Sequence, residues 1–164
     1  MKQFLFVFSL FMMLSSCAQD DVTTYYLIRH SEKERTDSSN KNPNLSEKGQ
    51  KRAANWAEYF KDIAFDAVYS TKYNRAIQTA TLTAKLNKLE IKQYDGKKMF
   101  DAQFEKETKG KIVLVVGHSN TTPFFANKIL KQDKFKEIDD GNNSNLYIVT
   151  VTKDSKNGKV LKID

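Results

Sequence analysis

The chain has 164 residues, of which 40% are hydrophobic and 29% are charged. This balance supports one folded domain of ordinary size and excludes an intrinsically disordered chain. The 27 Lys and Arg residues exceed the 20 Asp and Glu residues and give a formal net charge of +7. That charge favours anionic partners, but nucleic acid is not expected among them because no basic block with interleaved aromatic residues occurs.

The N-terminal segment resembles a bacterial export signal. Lys2 precedes an apolar run over residues 4–14, which is too short to span a bilayer because a spanning helix needs about 20 apolar residues. The run ends in Leu14-Ser15-Ser16-Cys17, which is similar to the lipobox of bacterial lipoproteins. In such proteins, cleavage leaves the cysteine first and lipid is attached to it. A plain secretory signal is the alternative, and a single cysteine excludes an internal disulfide.

Three parts are therefore expected along the chain. They are a lipoprotein signal peptide over residues 1–16, a lipid anchor and tether over residues 17–23, and a folded domain over residues 24–164. Multiple acyl chains on Cys17 would hold the domain stably on a membrane. The protein is then expected in the bacterial cell envelope, exported and lipid-anchored, with the membrane leaflet left open.

Hydrophobic periodicity in the folded domain alternates between strands and helices. In chain order it predicts a strand over 24–29, a helix from about 46 to 61, a strand over 67–70, a helix over 74–86, a strand over 90–94, a helix over 99–107, a strand over 111–116 and a helix that begins at 121. The apolar run of the fourth strand is typical of a central parallel strand covered on both faces. This alternation predicts an α/β fold, a three-layer α/β/α sandwich with a mainly parallel central sheet.

The C-terminal end of the chain has a different pattern. Residues 145–152 alternate between apolar and polar side chains, as a half-exposed strand does. Asn157-Gly158 predicts a tight turn into a last strand over 159–163. We therefore expect an antiparallel hairpin at the edge of the sheet.

Both histidines of the chain follow strand-like apolar runs. His30 comes after the first strand, and His118 comes after the fourth. In an open α/β sheet, ligands bind beyond the carboxyl ends of the parallel strands, so these two side chains are expected to meet at one site. Imidazole serves there as a nucleophile, a proton carrier or a hydrogen-bond donor near neutral pH.

Four short fragments occur in a set order across residues 25–130. They are Arg29-His30, Leu45-Ser46-Glu47-Lys48-Gly49, Ser70-Thr71-Lys72-Tyr73-Asn74-Arg75-Ala76 with Gln78-Thr79-Ala80, and Gly117-His118-Ser119-Asn120. Together they resemble the histidine phosphatase superfamily, also called phosphoglycerate mutase-like. Ser31 departs from the pattern, since the larger subgroup has Gly after Arg-His and short phosphohistidine-phosphatase-like members often have Ala.

The resemblance implies a phosphatase that acts through a phosphohistidine intermediate on His30. Arg29 and Arg75 would then hold the phosphoryl oxygens with their planar, permanently charged forks. His118 would be the second phosphate-binding histidine and would donate to an oxygen that gains charge. Asn120 would add a contact to the same anion, although a role as the N-cap of a helix explains it equally well.

The general acid that protonates the leaving oxygen is not identified by the sequence. Asp95 and Asp101 lie in the region where larger family members supply a carboxylate, and Glu32 lies two residues beyond the proposed nucleophile. All three are candidates. The sequence does not choose among them, because acidic side chains in such stretches are commonly only solvated.

No metal or other cofactor is expected, since two histidines and one lipidated cysteine do not provide a transition-metal site. The expected partners are a phosphorylated small molecule or a phosphoprotein as substrate, and a membrane through Cys17. The oligomeric state and the natural substrate are left open. A catalytically silent phosphate-binding or envelope scaffold protein of the same fold is the alternative function. Mutase activity is less expected, because the segment between Tyr94 and Gly117 leaves little room for a lid.

Overall fold

Residues 22–163, the part of the chain that this computed structural model describes, form six strands and four helices. In chain order these are β1 (Thr23–Arg29), α1 (Glu47–Tyr59), β2 (Ala67–Ser70), α2 (Asn74–Leu86), β3 (Ile91–Gln93), α3 (Ala102–Thr108), β4 (Ile112–Gly117), α4 (Thr121–Leu130), β5 (Asn145–Val151) and β6 (Lys156–Lys162). The predicted signal peptide and the lipid anchor at Cys17 lie outside the described residues. None of the helices within residues 22–163 has the length and apolar character needed to cross a membrane.

The six strands form one sheet in the order β3-β2-β4-β1-β5-β6. The first four strands in this order are parallel to one another. β5 runs antiparallel to β1, and β6 runs antiparallel to β5 at the edge. The predicted sheet, mainly parallel with an antiparallel C-terminal hairpin, is therefore confirmed.

Two hydrophobic cores lie on opposite faces of the sheet. Alternate residues of β4 supply both of them: Val113 and Val115 belong to one core, and Leu114 and Val116 belong to the other. Side chains of α3 and α4 complete the first core, while side chains of α1 and α2 complete the second. This arrangement explains the uninterrupted apolar run of β4, because a strand covered by helices on both faces has no solvent side.

The predicted turn at Asn157-Gly158 is wrong. Both residues lie inside β6, where they pair with Thr150 and Val149 of β5. The hairpin turns earlier, where Thr152 N–H donates to the Ser155 carbonyl at 2.8 Å. Gly158 is needed for another reason, since a Cβ at this position would lie 2.7 Å from Leu130 Cδ1. The lack of a side chain at Gly158 therefore allows the end of α4 to pack against the sheet.

Candidate active site

The register of β1 and β4 places the two histidines side by side. Arg29 pairs with Gly117 across these parallel strands, so the residues that follow leave the sheet together. His30 N–H donates to the Gly117 carbonyl at 2.9 Å, and the two imidazole rings lie 5.2 Å apart between centroids. Gly117 has no room for a side chain, because a Cβ there would lie 2.8 Å from both Tyr94 Oη and Thr122 Oγ1.

The His30 ring is held in one tautomer by its two hydrogen bonds. Nδ1 lies 2.7 Å from the Ser31 carbonyl, which can only accept, so Nδ1 carries the proton. Nε2 accepts from Nε of Arg75 at 3.1 Å and therefore has its lone pair on the side of this arginine. Burial, with the nearby charges of His118, Arg75 and Arg29, lowers the pKa of His30 to about 3. The ring is thus neutral and nucleophilic at physiological pH.

The His118 ring is also held neutral. Burial, with the charges of Arg75 and Arg29, lowers its pKa to about 4. Its Nε2 lies 2.9 Å from Thr71 Oγ1, and the ring of Tyr73 meets it edge-on at a centroid distance of 5.2 Å. Thr71 directly follows β2. Its place in the site is predictable from the sequence, because ligands bind beyond the carboxyl ends of parallel strands.

Arg29 is only 3% exposed, and its terminal nitrogens hold a distant loop. Nη1 donates to the carbonyls of Asp139, Asp140 and Asn142 at 2.9–3.0 Å, and Nη2 donates to the Asp140 carboxylate at 2.6 Å. Its buried Nε makes no hydrogen bond within residues 22–163. The terminal nitrogens of Arg29 thus hold this loop, and its Nε is a buried donor available to an anion.

Arg75 lies directly over the nucleophile. Besides its bond to His30, its guanidinium lies 4.6 Å from the centroid of the Tyr73 ring, a cation–π contact that fixes its plane. Its Nη1 is buried and has no hydrogen-bond partner among the described residues. A buried donor of this kind costs free energy unless something accepts from it, so Arg75 and Arg29 both present donors suited to an anion beside His30.

These residues lie at the inner end of a cleft with a volume of about 1040 Å³. The cleft is formed by the segments that follow β1, β2, β3 and β4, together with residues before β5. Its lining is Arg29, His30, Lys33, Thr71, Lys72, Tyr73, Arg75, Gln93, Tyr94, Asp95, Gly96, Lys97, His118, Ser119, Asn120, Thr121, Glu137 and Asp140. A volume this large has room for a substrate well beyond the size of a phosphoryl group.

The cleft contains one of the three predicted acid candidates. Asp95 lines it on the loop after β3, where its Oδ1 accepts from Lys97 N–H at 2.9 Å. Glu137 also lines the cleft, and its Oε1 lies 3.4 Å from Ser119 Oγ. Glu137 lies on the long segment between α4 and β5, for which the sequence offers no signal.

Glu32 and Asp101 do not line the cleft. Both carboxylate oxygens of Glu32 lie 3.0 Å from Nε of Arg52 on α1, so this side chain holds a structural ion pair. Asp101 is the N-cap of α3 and accepts from Phe104 N–H at 2.8 Å. Each carboxylate therefore has a local structural partner instead of a place beside His30.

Asn120 lines the cleft as the N-cap of α4. Its Oδ1 accepts from Thr121 N–H at 2.8 Å. The capping role that the sequence left open is thus the one the structure shows. Within residues 22–163, no group of three or more His, Cys, Asp or Glu side chains is placed to hold a metal ion.

Comparison with known proteins gives a family pattern and a fold. The family model described as histidine phosphatase superfamily (branch 1) matches residues 25–98. No curated protein sequence matches the chain closely enough to count as a relative. Over the matched residues the chain has the sequence pattern of this superfamily.

Solved structures share the architecture over most of the chain. A phosphoglycerate mutase from Bacillus anthracis aligns with a TM-score of 0.66 and 19% identity, covering 87% of this chain and 93% of its own. An alpha-ribazole phosphatase from Shigella flexneri gives 0.66 and 15%, with coverages of 85% and 96%. A candidate phosphohistidine phosphatase, SixA, from Agrobacterium tumefaciens gives 0.61 and 19%, with coverages of 86% and 98%. The chain therefore has the phosphoglycerate mutase-like fold.

Proposed function

We propose that this chain, which has the sequence pattern of the histidine phosphatase superfamily and the phosphoglycerate mutase-like fold, is a phosphatase. It hydrolyses phosphomonoesters or phosphorylated protein side chains through a phosphohistidine intermediate on His30. The observation that carries this proposal is the state of that ring. His30 is neutral and is held with Nε2 free of a proton, and the two arginine side chains beside it have buried donors without a partner in residues 22–163.

In the first step, Nε2 of His30 attacks phosphorus, the N–P bond forms and the ester P–O bond breaks. Arg75 must release Nε2 as the phosphoryl group enters, and its guanidinium then donates to the phosphoryl oxygens. The leaving oxygen takes a proton from the general acid. In the second step, water gives a proton to the carboxylate of the acid as it attacks phosphorus, the N–P bond breaks, and inorganic phosphate leaves with His30 neutral and the acid protonated again. Preorganised positive charge is the main catalytic contribution to such transfers.

The general acid of this proposal is Asp95. It lies in the cleft on the loop after β3, and its carboxylate forms no ion pair with the described residues. Glu137 is a second exposed carboxylate in the cleft without an ion pair among the described residues. Its Oε1 lies 3.4 Å from Ser119 Oγ, and it serves as the comparison residue for Asp95.

The test is hydrolysis of para-nitrophenyl phosphate by the purified full-length chain, with a chelator present. We expect activity in the wild type, loss of activity in His30→Ala, and a radiolabelled phosphoryl group trapped on the wild type after an alkaline quench, in which the N–P bond is stable. The matched control is Lys41→Ala, which removes a charged side chain from an exposed loop outside the cleft. A His30→Ala variant as active as the wild type contradicts the proposal.

A silent wild type that still binds phosphate would instead support the phosphate-binding alternative. Substrate classes are then separable by comparing a small phosphomonoester with a phosphorylated peptide in the same assay. Attachment to a membrane through Cys17 remains a separate proposal, because this residue lies outside the described part of the chain. Its test is release of the protein from the membrane fraction on Cys17→Ser, and unchanged retention contradicts it.

A further inference from the structure

Lys33 is a cation of the cleft whose ammonium group is unpaired among the described residues. It lines the same cleft as His30 and is half-buried. Within residues 22–163, its ammonium group makes no hydrogen bond and no ion pair. The two arginines differ from it, because Arg29 holds the loop at residues 139–142 and Arg75 donates to His30. Lys33 is thus a half-buried cleft lysine whose three ammonium donors are unpaired among the described residues, whereas Lys72 and Lys97 of the same cleft are exposed.

The backbone on both sides of Lys33 is tied to a second segment, which fixes where its side chain starts. Lys33 forms a β-bridge with Leu45, a residue that is only 4% exposed. The Glu32 carbonyl accepts from Ser46 N–H at 3.0 Å, and Glu34 N–H donates to the Asn44 carbonyl at 2.9 Å.

Glu32 adds a side-chain anchor to the same segment. Its carboxylate pairs with Arg52 of α1, and Lys48 Nζ lies 3.5 Å from it. The carbonyl of Glu32 packs so closely on α1 that a Cβ at Gly49 would lie 1.9 Å from it. The segment from Glu32 to Glu34 is therefore preorganised, as a ligand-binding side chain requires.

Lys33 interacts electrostatically with the other charged residues of the site. Burial, with the charges of Arg75, Arg35 and Arg29, lowers the pKa of Lys33, and the charge of Asp140 opposes this shift. Lys33 in turn disfavours the imidazolium form of His118. Grouping these cations in one cleft is unfavourable until a polyanionic group enters and is shared among them.

We propose that Lys33 completes the phosphate clamp by donating from its ammonium group to a non-bridging phosphoryl oxygen beside Arg75. Because the terminal nitrogens of Arg29 hold the loop at residues 139–142, Lys33 adds a cation whose donors are not engaged by the described residues. It makes the cleft selective for a phosphomonoester dianion over a phosphodiester monoanion. The inference rests on the proposed phosphate site but not on turnover.

The test is titration calorimetry of the full-length chain with inorganic phosphate at neutral pH. We expect Lys33→Ala to weaken phosphate binding by about tenfold or more, which corresponds to roughly 1.4 kcal/mol. Lys33→Gln, which keeps most of the aliphatic stem, should lose as much, and Lys33→Arg should recover most of the affinity. Lys72→Ala is the matched control, since it removes the same charge from an exposed position on the same cleft.

A loss in Lys72→Ala equal to that in Lys33→Ala overturns the proposal, because it would reflect only the net charge of the cleft. Unchanged binding in Lys33→Ala or Lys33→Gln overturns it as well. Thermal unfolding checks that the variants fold, as expected from a β-bridge made by the backbone of Lys33. In the hydrolysis assay, the same variants should raise KM for a monoester more than they raise the inhibition constant of a diester. Phosphate binding without hydrolysis would refute the proposed function while leaving Lys33 in the clamp.

Discussion

Two segments of the cleft are built in different ways. The nucleophile segment, residues 30–34, is tied to distant parts of the chain: Asn143 Nδ2 donates to the His30 carbonyl, and Ser31 N–H donates to Thr79 Oγ1. The rim loop, residues 94–98, is held mainly by its own short-range bonds. Lys97 N–H, Lys98 N–H and Met99 N–H all donate to Asp95. The nucleophile is thus fixed by tertiary structure, and the proposed acid lies on a locally closed turn.

The difference suggests a division of roles within the site. A nucleophile must be aligned with phosphorus before the reaction starts, so a fixed imidazole lowers the cost of reaching the transition state. An acid must meet leaving groups of different shapes, which a self-contained loop at the rim accommodates with little change elsewhere. Substitutions at the rim should therefore change which substrates react, whereas substitutions under the nucleophile segment should damage the folded site itself.

The largest effect should come from Asp95→Asn, tested at the rim. General acid catalysis contributes about 10²–10⁴-fold, so hydrolysis of an alkyl phosphate should fall by roughly a hundredfold or more. An aryl phosphate with a good leaving group should lose far less, because its oxygen needs little protonation. The ratio of kcat/KM for the two substrates is the measurement.

Asp101→Asn is the control for Asp95→Asn, since it makes the same change on a carboxylate that only caps α3. Asn is also a good N-cap, so neither substrate should be affected. Equal losses on alkyl and aryl phosphate in Asp95→Asn would remove Asp95 from the acid role. Glu137→Gln should then show the leaving-group dependence instead.

Two glycines allow a direct test of how the two segments differ in rigidity. A Cβ at Gly49 would lie 1.9 Å from the Glu32 carbonyl oxygen, so Gly49→Ala must push α1 away from the nucleophile segment. Overpacking of this kind costs about 1–3 kcal/mol, and we expect a loss of that size in the free energy of unfolding. Phosphate affinity should fall with it, because Lys33 follows Glu32.

Gly96 is the matching position in the rim loop, where a Cβ would meet Thr121 Cγ2 at 3.5 Å, an ordinary contact. Gly96→Ala should leave both the unfolding free energy and phosphate binding nearly unchanged. Urea unfolding and calorimetry on the two variants measure the contrast. A Gly96→Ala variant as unstable as Gly49→Ala would mean that the rim loop is as tightly constrained as the nucleophile segment.

Thr79 tests a single hydrogen-bonded link under the nucleophile. Its Oγ1 accepts from Ser31 N–H at 2.9 Å and donates to the Arg75 carbonyl at 2.7 Å, so it joins the segment to α2. Thr79→Val leaves the buried Ser31 N–H without an acceptor, which should cost about 1–3 kcal/mol of stability. Because the Ser31 carbonyl orients His30, kcat should also fall while KM changes little.

The control for Thr79→Val is Thr81→Val on the same helix. Thr81 Oγ1 donates only to the Ile77 carbonyl of α2 itself, so its loss should be small in both stability and kcat. Stopped-flow hydrolysis and urea unfolding of the pair are the measurements. Equal kcat values for the two variants would show that the link through Thr79 does not position the nucleophile.

The sequence predicts those features that depend on local pattern or on the order of the strands. The meeting of His30 and His118 is predictable because parallel strands end at one edge of the sheet, and each histidine follows such a strand. The alternation of apolar and polar residues predicts the hairpin. The position of its turn is not predicted, because Gly158 makes room for the Leu130 side chain and does not form the turn. A glycine required by tertiary packing has the same sequence signal as one required by backbone conformation.

The actual bonding of Arg29 is not predictable from local pattern. Its partners Asp139, Asp140 and Asn142 lie more than a hundred residues further along the chain, in a segment without periodic structure. That the Lys33 ammonium group has no partner among the described residues is likewise a property of the packed fold. Local reasoning identifies which side chains carry charge at the site, and only the packed fold determines which of them still have donors to offer.

The last prediction concerns pH and separates the two histidines of the site from the rim. The pKa values of His30 and His118, about 3 and about 4, lie below their ordinary value of 6.5. Between about pH 4 and pH 6.5 the unfolded chain binds more protons than the folded one. The free energy of unfolding should therefore fall as pH drops below about 6.5. Urea midpoints between neutral pH and pH 5, without phosphate, measure the slope. His118→Asn should reduce it by about half, because one of the two histidines no longer titrates on unfolding. Asp140→Asn should leave it unchanged, because the pKa of that carboxyl lies below 3.8 and outside this window. A slope that His118→Asn does not reduce would mean that this ring is not held neutral by the fold.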